Sequence, residues 1–369
     1  MEQQQQQPDP GQPPVRHRRP LSRRRRVVYA VVGCTLALLL LGGSGAAALY
    51  LKFNGNISEI DIDAALGGDR PEDEPGGSLD ILVLGSDSRE GENGVYGKQE
   101  DAPRADTAMV VHLDEDRDAA TVVSIPRDTL VSRPACEDGD GEVVPAAERA
   151  MFNEAFAIGG PVCAVKTTEA VTGIRMDHYV EIDFRGFEEM IDALGGVDVT
   201  LERPLRDGDS HLDLEAGDHR LDGRDALALV RTRKSVGDGS DLDRIQIQHA
   251  FIRALVAEVR DVGALGDPRR LYALADTATS AVTTDSSLAS VSALSSLAGT
   301  LRGIGPDDLR MITLPVGYDE SDPNRVVPLE PQARQVWDAL RRDVPVPEGL
   351  TEGSDAEPDA DADPPAVRR

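Results

Sequence analysis

Three short apolar segments in the first third of the chain are typical of strands that are buried on both faces of a sheet. They are Leu79–Leu84, Ala108–Leu113 and Ala119–Ile125. The segments are rich in Val, Ile and Leu. Their apolar residues are largely consecutive and do not alternate with polar ones. Charged residues adjoin each segment. The pattern therefore predicts the centre of a sheet, with charged side chains collected at the ends of its strands.

Helical and strand patterns alternate along the next part of the chain. One segment carries apolar residues at helical spacing and ends at a pair of glycines, which is typical of an amphipathic helix with a glycine C-cap. Strands that alternate with helices predict an α/β fold, in which helices cover both sides of a sheet. The predicted helices are 146–158, 161–171, Phe184–Leu194 and Arg224–Val230, and the predicted strands are His178–Ile182 and Val197–Leu201.

The amino-terminal part contains a basic tract followed by a long apolar segment. Residues 1–26 hold seven arginines, and residues 27–51 hold 25 residues without a charge. A helix of that length extends about 37 Å, which exceeds the ~30 Å hydrocarbon core of a bilayer. We therefore expect a disordered cytoplasmic segment at 1–26 and a transmembrane helix at 27–51. A cleaved signal peptide is the alternative, since Ala46–Ala48 fits a cleavage site, and both interpretations place the remaining chain outside the cytoplasm.

Charge is distributed unevenly along the sequence. The whole chain has a formal net charge of −27, but residues 53–369 contain 31 basic and 64 acidic residues, a net charge of −33. So acidic a domain disfavours general binding of nucleic acid. Residues 52–77, which mix glycine, proline and acidic residues, predict an extracellular stalk, and residues 347–369 predict a disordered acidic tail. Residues 78–346 then form the folded domain.

The cysteines are consistent with this location. Cys136 and Cys163 lie in the predicted outer domain, where a disulfide can persist, whereas Cys34 lies in the apolar segment. We predict that Cys136 and Cys163 pair, with two buried free thiols as the alternative.

Arginines at the ends of predicted elements are the most informative polar feature. A guanidinium group binds phosphate through paired hydrogen bonds and stays charged, although a single arginine in an acidic protein is more often paired with a neighbouring carboxylate. Asp87 and Asp106 could hold a hard divalent cation such as Mg²⁺ through oxygen. Arg244 and Gln248 share one face of a helix that is expected to begin near Asp241. The candidate phosphate ligands are Arg89, Arg104, Arg127, Arg231, Arg233 and Arg244.

Several spaced motifs together resemble the LytR-CpsA-Psr family of cell-envelope proteins. In order between residues 79 and 256 they are LVLGSDSR, RADT, VSIPRDTLV, GIRMDHYVEIDFRGFEEMIDALGGVDV, LDGRDALALVRTR and DLDRIQIQ. The resemblance implies an α/β/α domain with a central mixed sheet, an apolar pocket for a polyprenyl tail, and a charged mouth for its pyrophosphate. It also implies that an anionic glycopolymer such as teichoic acid is transferred from polyprenyl pyrophosphate to peptidoglycan at the membrane, with the assistance of Mg²⁺ or Mn²⁺.

The resemblance assigns roles to residues of this chain. Asp87 and Asp106 would hold the metal, and Arg127 would act in catalysis with Asp106 or Asp128, one of which would be the base. The chain departs from the family pattern at Asp243, Ile247 and His249, which removes one cation and adds a carboxylate. A non-catalytic binder or sensor of the lipid-linked polymer is therefore the alternative function. Gln248 would join the substrate-binding arginines, which are Arg89, Arg104, Arg127, Arg231, Arg233 and Arg244.

Overall fold

A seven-stranded mixed sheet lies at the centre of the protein. The computed structural model describes residues 43–68, 70–73, 76–88, 103–233, 241–261, 268–350 and 367–368. Two units are distinguished, residues 1–51 and residues 52–369, and the sheet belongs to the second.

The strands and helices of the described residues are as follows. The strands are β1 (Ser58–Ile60), β2 (Leu79–Ser86), β3 (Ala105–Leu113), β4 (Ala120–Ser124), β5 (Leu130–Arg133), β6 (Cys136–Glu137), β7 (Val143–Val144), β8 (Ala147–Met151), β9 (His178–Asp183), β10 (Val197–Leu201), β11 (Leu205–Asp207), β12 (Leu212–Leu214), β13 (Gly217–Leu221), β14 (Val282–Asp285), β15 (Leu309–Thr313), β16 (Val316–Tyr318), β17 (Val326–Pro328) and β18 (Val367–Arg368). The helices are α1 (43–56), α2 (Ile62–Leu66), α3 (Phe152–Thr172), α4 (Phe184–Leu194), α5 (Gly223–Arg231), α6 (Asp241–Asp261), α7 (Pro268–Ser280), α8 (Val291–Leu301) and α9 (Gln332–Arg341).

The strand order of the central sheet is β1-β14-β9-β2-β3-β4-β15. The pairs β1–β14, β2–β9 and β4–β15 are parallel, and the pairs β14–β9, β2–β3 and β3–β4 are antiparallel. The apolar segments 79–84, 108–113 and 119–125 are thus neighbouring strands. Strands β2 and β4 both run antiparallel to β3. The carboxyl ends of β2 and β4 therefore lie beside the amino end of β3, at the same end of the three strands.

Both faces of the sheet are covered by helices, as predicted. Leu82 and Val110 pack against α3 and α9 on one face, in a core that includes Trp337. Ile81 and Met109 point to the opposite face, where residues of α6 and α8 pack. Successive residues of a strand point to opposite sides, so a strand that is buried on both faces is apolar throughout. The α/β/α arrangement with a central mixed sheet is therefore confirmed.

A second core lies beside the sheet. It is formed by the β10–β13 strand pair together with α4, α5 and α6, and it includes the fully buried Leu229 and Phe251. Val367 of β18 is buried in this core, and β18 pairs with β10. The predicted disordered tail therefore has an ordered strand at Val367–Arg368, while residues 351–366 lie outside the described residues.

Helix α4 and strand β10 have the predicted bounds because local signals determine them. The Asp183 side chain accepts a hydrogen bond of 2.7 Å from the Gly186 backbone N–H at the start of α4. Gly195 ends the helix in the left-handed conformation, with φ of 83°. Phe187, Ile191 and Leu194 of this helix pack in the second core.

The helix predicted at 146–158 is wrong in its first half. Residues Ala147–Met151 form β8, which pairs with β5 in the antiparallel direction. Helix α3 begins only at Phe152 and absorbs the helix predicted at 161–171, with a break in its helical conformation at Gly159 and Gly160. A Cβ atom at position 159 would overlap the Glu137 carbonyl oxygen, so glycine allows the β6 strand to approach the helix.

The segment predicted as a stalk contributes to the folded unit. Strand β1 pairs with β14 and forms one edge of the central sheet. Ile62 is 4% exposed and belongs to the core beneath α3. Arg70 pairs with the buried Glu169 of α3. The ordered unit accordingly begins at residue 52 and not at residue 78.

The predicted transmembrane segment is described only in its last part, at residues 43–51 of α1. Within the part of the chain that the structure describes, none of the helices combines the length and the apolar character needed to cross a bilayer. Residues 1–42, which hold the basic tract and most of the apolar segment, lie outside the described residues.

The predicted disulfide between Cys136 and Cys163 is confirmed. Their Cα atoms are 5.5 Å apart, and 27 positions separate the two residues in the sequence. The bond joins β6 to α3 directly beside the break at Gly159. It therefore holds the β6–β7 excursion against the helix.

We expect the double substitution Cys136→Ser and Cys163→Ser to lower the free energy of unfolding by about 3–4 kcal/mol, because a loop of this length costs that much to close in the chain-entropy model. Urea unfolding followed by circular dichroism measures the change, and Cys34→Ser serves as the control. An unchanged unfolding midpoint in the double variant would show that the disulfide does not stabilise the fold.

Candidate active site

A largely apolar cavity of about 830 Å³ lies between one face of the central sheet and the helices α4, α5 and α6. The sheet contributes Val83, Met109 and Val122 to its wall. Helix α4 contributes Phe187 and Met190 from the same apolar stripe that predicted the helix. A cavity of this size can hold a drug-sized ligand or a comparable length of hydrocarbon chain.

Charged residues collect where the cavity meets the strand ends. Asp106 lies at the beginning of β3, and Arg127 follows the end of β4. The antiparallel pairing of these strands brings both residues to one edge of the sheet, although they are 21 positions apart. The polar residues that line the cavity here include Asp106, Arg231, Arg233, Arg244 and Gln248.

Arg127 is at the centre of this group. Its guanidinium group forms an ion pair with Asp106. Its Nε atom also lies 3.5 Å from Asp128 Oδ2 and 3.4 Å from Asp241 Oδ1. The Arg127 backbone N–H donates to Asp241 Oδ2 at 3.1 Å, so the first turn of α6 is fixed to the end of β4. These contacts hold the guanidinium group in one orientation.

Asp106 is surrounded by positive charge. Its Oδ1 atom pairs with Arg127 and lies 3.9 Å from Arg233 Nη2. Burial alone would raise the pKa of the Asp106 carboxyl, but the charges of Arg127, Arg244 and Arg233 outweigh burial, so the pKa lies below its usual range. The carboxylate is therefore ionised at neutral pH and is a weak base.

The arginines themselves are affected by burial. Arg244 is 3% exposed, and burial lowers the pKa of its guanidinium group. Burial and the nearby positive charge of Arg127 also lower the pKa of Arg233. Arg127 shows the opposite direction, because Asp106, Asp241 and Asp128 outweigh its burial and raise its pKa. Arg244 also pairs with Asp241, and Arg233 lies 3.9 Å from Asp106, so burial lowers both pKa values in spite of carboxylate partners. An anionic ligand would stabilise the charged forms of these two buried groups further.

Helix α6 presents Arg244 and Gln248 to the sheet from one face, as their spacing predicts. Arg244 Nη2 donates to the Asp106 backbone carbonyl oxygen at 2.7 Å. Gln248 Nε2 donates to Thr107 Oγ1 and to the Val230 carbonyl oxygen, both at 3.1 Å. These contacts join α6 to β3 and α5 at the mouth of the cavity.

Arg231 and Arg233 approach the mouth from the end of α5. The Arg231 guanidinium carbon lies 4.3 Å from the centre of the Phe184 ring, which is a cation–π distance. The Arg233 backbone N–H donates to Asp207 Oδ2 at 2.9 Å. Sequence reasoning missed the role of Phe184, which was assigned only to the apolar stripe of α4.

Asp87 and Arg104 lie at the same strand ends, one just after β2 and the other just before β3. Asp87 Oδ1 accepts a hydrogen bond of 2.6 Å from the Arg104 backbone N–H, and the Asp87 N–H donates to the Arg104 carbonyl oxygen at 3.1 Å. Both are absent from the described residues that line the cavity, and the Arg104 side chain is exposed. Arg89 lies outside the described residues.

The carboxylates of Asp87 and Asp106 suit a hard divalent cation by their chemistry. They flank the paired residues Ser86 and Ala105 on the neighbouring strands β2 and β3. Among the described residues, no three His, Cys, Asp or Glu side chains are placed to share a metal ion.

Arg325 was not identified from the sequence. It lies in the loop before β17, and its Nη1 atom is 3.4 Å from Asp128 Oδ1. Almost 200 positions separate it from Asp128, and in the sequence it stands close to the acidic residues Asp319, Glu320 and Asp322. No local signal distinguishes it.

Comparison with known proteins places this site in a family. Residues 49–342 match the LytR_cpsA_psr family. The chain is 37% identical over 197 residues to the probable cell wall biosynthesis protein LcpB of Corynebacterium glutamicum. The matched segment covers 52% of this chain and 44% of LcpB. The chain is 31% identical over 249 residues to TagT of Bacillus subtilis, a polyisoprenyl-teichoic acid–peptidoglycan teichoic acid transferase, which covers 64% of this chain and 72% of TagT.

A solved structure agrees with these relatives. The LytR-Csp2A-Psr enzyme from Actinomyces oris superimposes with a TM-score of 0.56 at 26% identity, covering 77% of this chain and 96% of that one. The chain spans about half the length of the Corynebacterium glutamicum relatives, 44% of LcpB and 50% of LcpA. On the extent of the family match and the likeness of the fold, the chain belongs to the LytR_cpsA_psr family.

Proposed function

We propose that this protein transfers an anionic glycopolymer, such as teichoic acid or another secondary wall polymer, from a polyprenyl-pyrophosphate carrier to peptidoglycan. The observation that carries the proposal is the joining of an apolar cavity of about 830 Å³ to a mouth lined by three arginines, Arg231, Arg233 and Arg244. An amphiphile with a hydrocarbon tail and a phosphorylated head matches both parts. The description of TagT as a teichoic acid transferase supports the same reaction class.

The residues at the mouth supply electrostatic stabilisation. A sugar hydroxyl of peptidoglycan attacks the phosphorus nearer the polymer, and polyprenyl phosphate leaves. Negative charge on the phosphoryl oxygens is stabilised by guanidinium groups that are already oriented, which requires little reorganisation during the reaction. Arg127 is suited to this role because three carboxylates fix its position. The base is Asp106 or Asp128.

Asp87 and Asp106 would hold Mg²⁺ or Mn²⁺. When bound, the cation would supply further positive charge to the pyrophosphate oxygens. The chemistry of the two side chains supports this assignment, since carboxylate oxygens are ligands that hard divalent cations prefer.

The reaction would take place on the outer face of the membrane. The disulfide between Cys136 and Cys163 supports an oxidising compartment. The apolar segment at 27–51 would anchor the chain, with its amino terminus in the cytoplasm.

Replacement of Arg127 tests the catalytic role. We expect Arg127→Ala to lower the rate of polymer transfer by about 10²–10³, because a fixed donor to the transition-state charge is lost. Transfer from a polyprenyl-pyrophosphate-linked donor to isolated glycan strands measures the rate. Arg334→Ala, on the opposite side of the sheet and paired with Glu330, is the control. Full transfer by Arg127→Ala would remove Arg127 from the mechanism.

Filling the cavity tests the site of the tail. We expect Met190→Trp to weaken binding of a long-chain donor by about ten- to a hundredfold, because the larger side chain occupies cavity volume. A short-chain donor analogue should bind both proteins equally. Isothermal titration measures both affinities, and Glu189→Trp, on the exposed side of the same helix, is the control. Equal weakening by the two substitutions would place the tail elsewhere.

Removal of the metal separates a transferase from a non-catalytic binder. We expect chelation with EDTA to lower transfer at least about tenfold, and Mg²⁺ or Mn²⁺ to restore it. Asp87→Asn should raise the Mg²⁺ concentration needed for half-maximal rate, whereas Asp140→Asn, in an exposed acidic loop, should not. A protein that retains lipid-linked polymer identified by mass spectrometry, but releases no polyprenyl phosphate when Mg²⁺ is added, would be a binder or sensor.

A further inference from the structure

A row of five side chains with alternating charge leads away from the cavity. We call it the charge row, and it consists of Arg233, Asp106, Arg127, Asp128 and Arg325. Arg233 Nη2 lies 3.9 Å from Asp106 Oδ1, which also pairs with Arg127. Arg127 Nε lies 3.5 Å from Asp128 Oδ2, and Asp128 Oδ1 lies 3.4 Å from Arg325 Nη1. Each member is therefore in contact with the next.

The charge row has an inner and an outer end. Arg233 and Asp106 line the cavity, whereas the described residues of the cavity wall do not include Arg127, Asp128 or Arg325. The β16–β17 hairpin fixes the outer end, because the Val326 backbone N–H donates to the Asp128 carbonyl oxygen at 3.4 Å and Val326 forms a bridge with Thr129. The Arg325 side chain is 31% exposed, so a ligand can reach it from solvent.

The direction of the row matters because of the geometry of phosphoryl transfer. The attacking and leaving oxygens lie roughly in line on opposite sides of the phosphorus. If the polyprenyl tail occupies the cavity, as the proposed function requires, the leaving phosphate lies on the cavity side. The attacking hydroxyl must then arrive from the opposite side, which is where the outer end of the charge row lies.

We propose that Asp128 and Arg325 form the binding site for the acceptor glycan. An Asp128 carboxylate oxygen takes the proton of the attacking sugar hydroxyl while the new oxygen–phosphorus bond forms. The bond between that phosphorus and the bridging oxygen breaks, and its electron pair leaves with polyprenyl phosphate. Arg325 donates hydrogen bonds to oxygen atoms of the glycan and holds Asp128 in place.

Asp128 fits the role of base better than Asp106 does. Asp106 is bound by Arg127 and near Arg233 at the inner end, on the side of the leaving group. Asp128 contacts its two arginines at the longer distances of 3.5 and 3.4 Å, and it is not among the described residues of the cavity wall. The two carboxylates therefore have different tasks, with Asp106 organising the donor side.

The test compares the Kd for the donor with the KM for the acceptor glycan, in full-length protein reconstituted in nanodiscs. The variants are Arg325→Gln and Arg325→Lys, and Arg149→Gln is the matched control, because Arg149 pairs with Asp319 near the same hairpin without contacting Asp128 in the described ion pairs. Transfer is measured against the concentration of uncrosslinked glycan strands at saturating donor. Binding of the donor, and binding of glycan strands without donor, are measured separately.

We expect Arg325→Gln to raise the KM for the glycan about ten- to a hundredfold, the effect of losing a charged hydrogen bond, and to leave the Kd for the donor unchanged. Arg325→Lys should recover part of the loss, and Arg149→Gln should have no effect. Glycan binding without donor should weaken in parallel. A KM within twofold of wild type, or an equal loss of donor affinity, would overturn the acceptor site. A wild-type protein that binds donor but transfers nothing would instead overturn the proposed function, and the acceptor site with it.

Discussion

Several guanidinium groups come together at the mouth of the cavity because the Asp106 carboxylate compensates part of their charge. Arg127 pairs with its side chain, Arg233 lies near the same oxygen, and Arg244 donates to its backbone carbonyl. Asp128 and Asp241 also lie beside Arg127, and Asp241 pairs with Arg244, so three carboxylates surround these guanidinium groups. Burial disfavours the charged forms of Arg233 and Arg244, and their pKa values are lowered accordingly. A pyrophosphate group would stabilise these charged forms, so the same arrangement favours a strongly anionic ligand.

The position of this group depends on the sheet. Strands β2 and β4 both pair with β3 in the antiparallel direction, so a short stretch of sequence brings Asp87, Asp106 and Arg127 to one edge. The same strands carry apolar residues on both faces, which allows one face to pack against α3 and α9 while the other forms the wall of the cavity. The apolar and charged parts of the site are thus consequences of one arrangement of strands.

The sequence predicted correctly those features whose signals lie within a single segment of the chain. The stripe of α4 and its caps at Asp183 and Gly195 are contained within one segment, and so is the i, i+4 spacing of Arg244 and Gln248. The failures have partners that are distant in sequence. The segment 147–151 is rich in helix-forming residues, but pairing with β5 makes it a strand.

Distance in sequence also explains what was missed at the edges of the domain and of the site. Strand β1 becomes part of the sheet only because β14, more than 200 positions later, lies beside it. Arg325 acquires its place in the charge row in the same way, through a hairpin that packs against Asp128. In both cases the local sequence carries no distinctive signal, and contacts with residues that are distant in sequence determine the role.

The acidic character of the domain adds a constraint on how a polyanion can bind. Residues 53–369 carry a net charge of −33, so most of the surface repels a teichoic-acid-like polymer. At physiological salt, the favourable field of the arginine cluster extends only about one Debye length, ~8 Å, from the mouth. Repeating phosphates farther along the polymer would experience the acidic surface and not the arginines. Attraction is therefore restricted to the end of the polymer that carries the pyrophosphate. The bond that the proposed reaction breaks lies within this pyrophosphate, between the phosphorus nearer the polymer and the bridging oxygen.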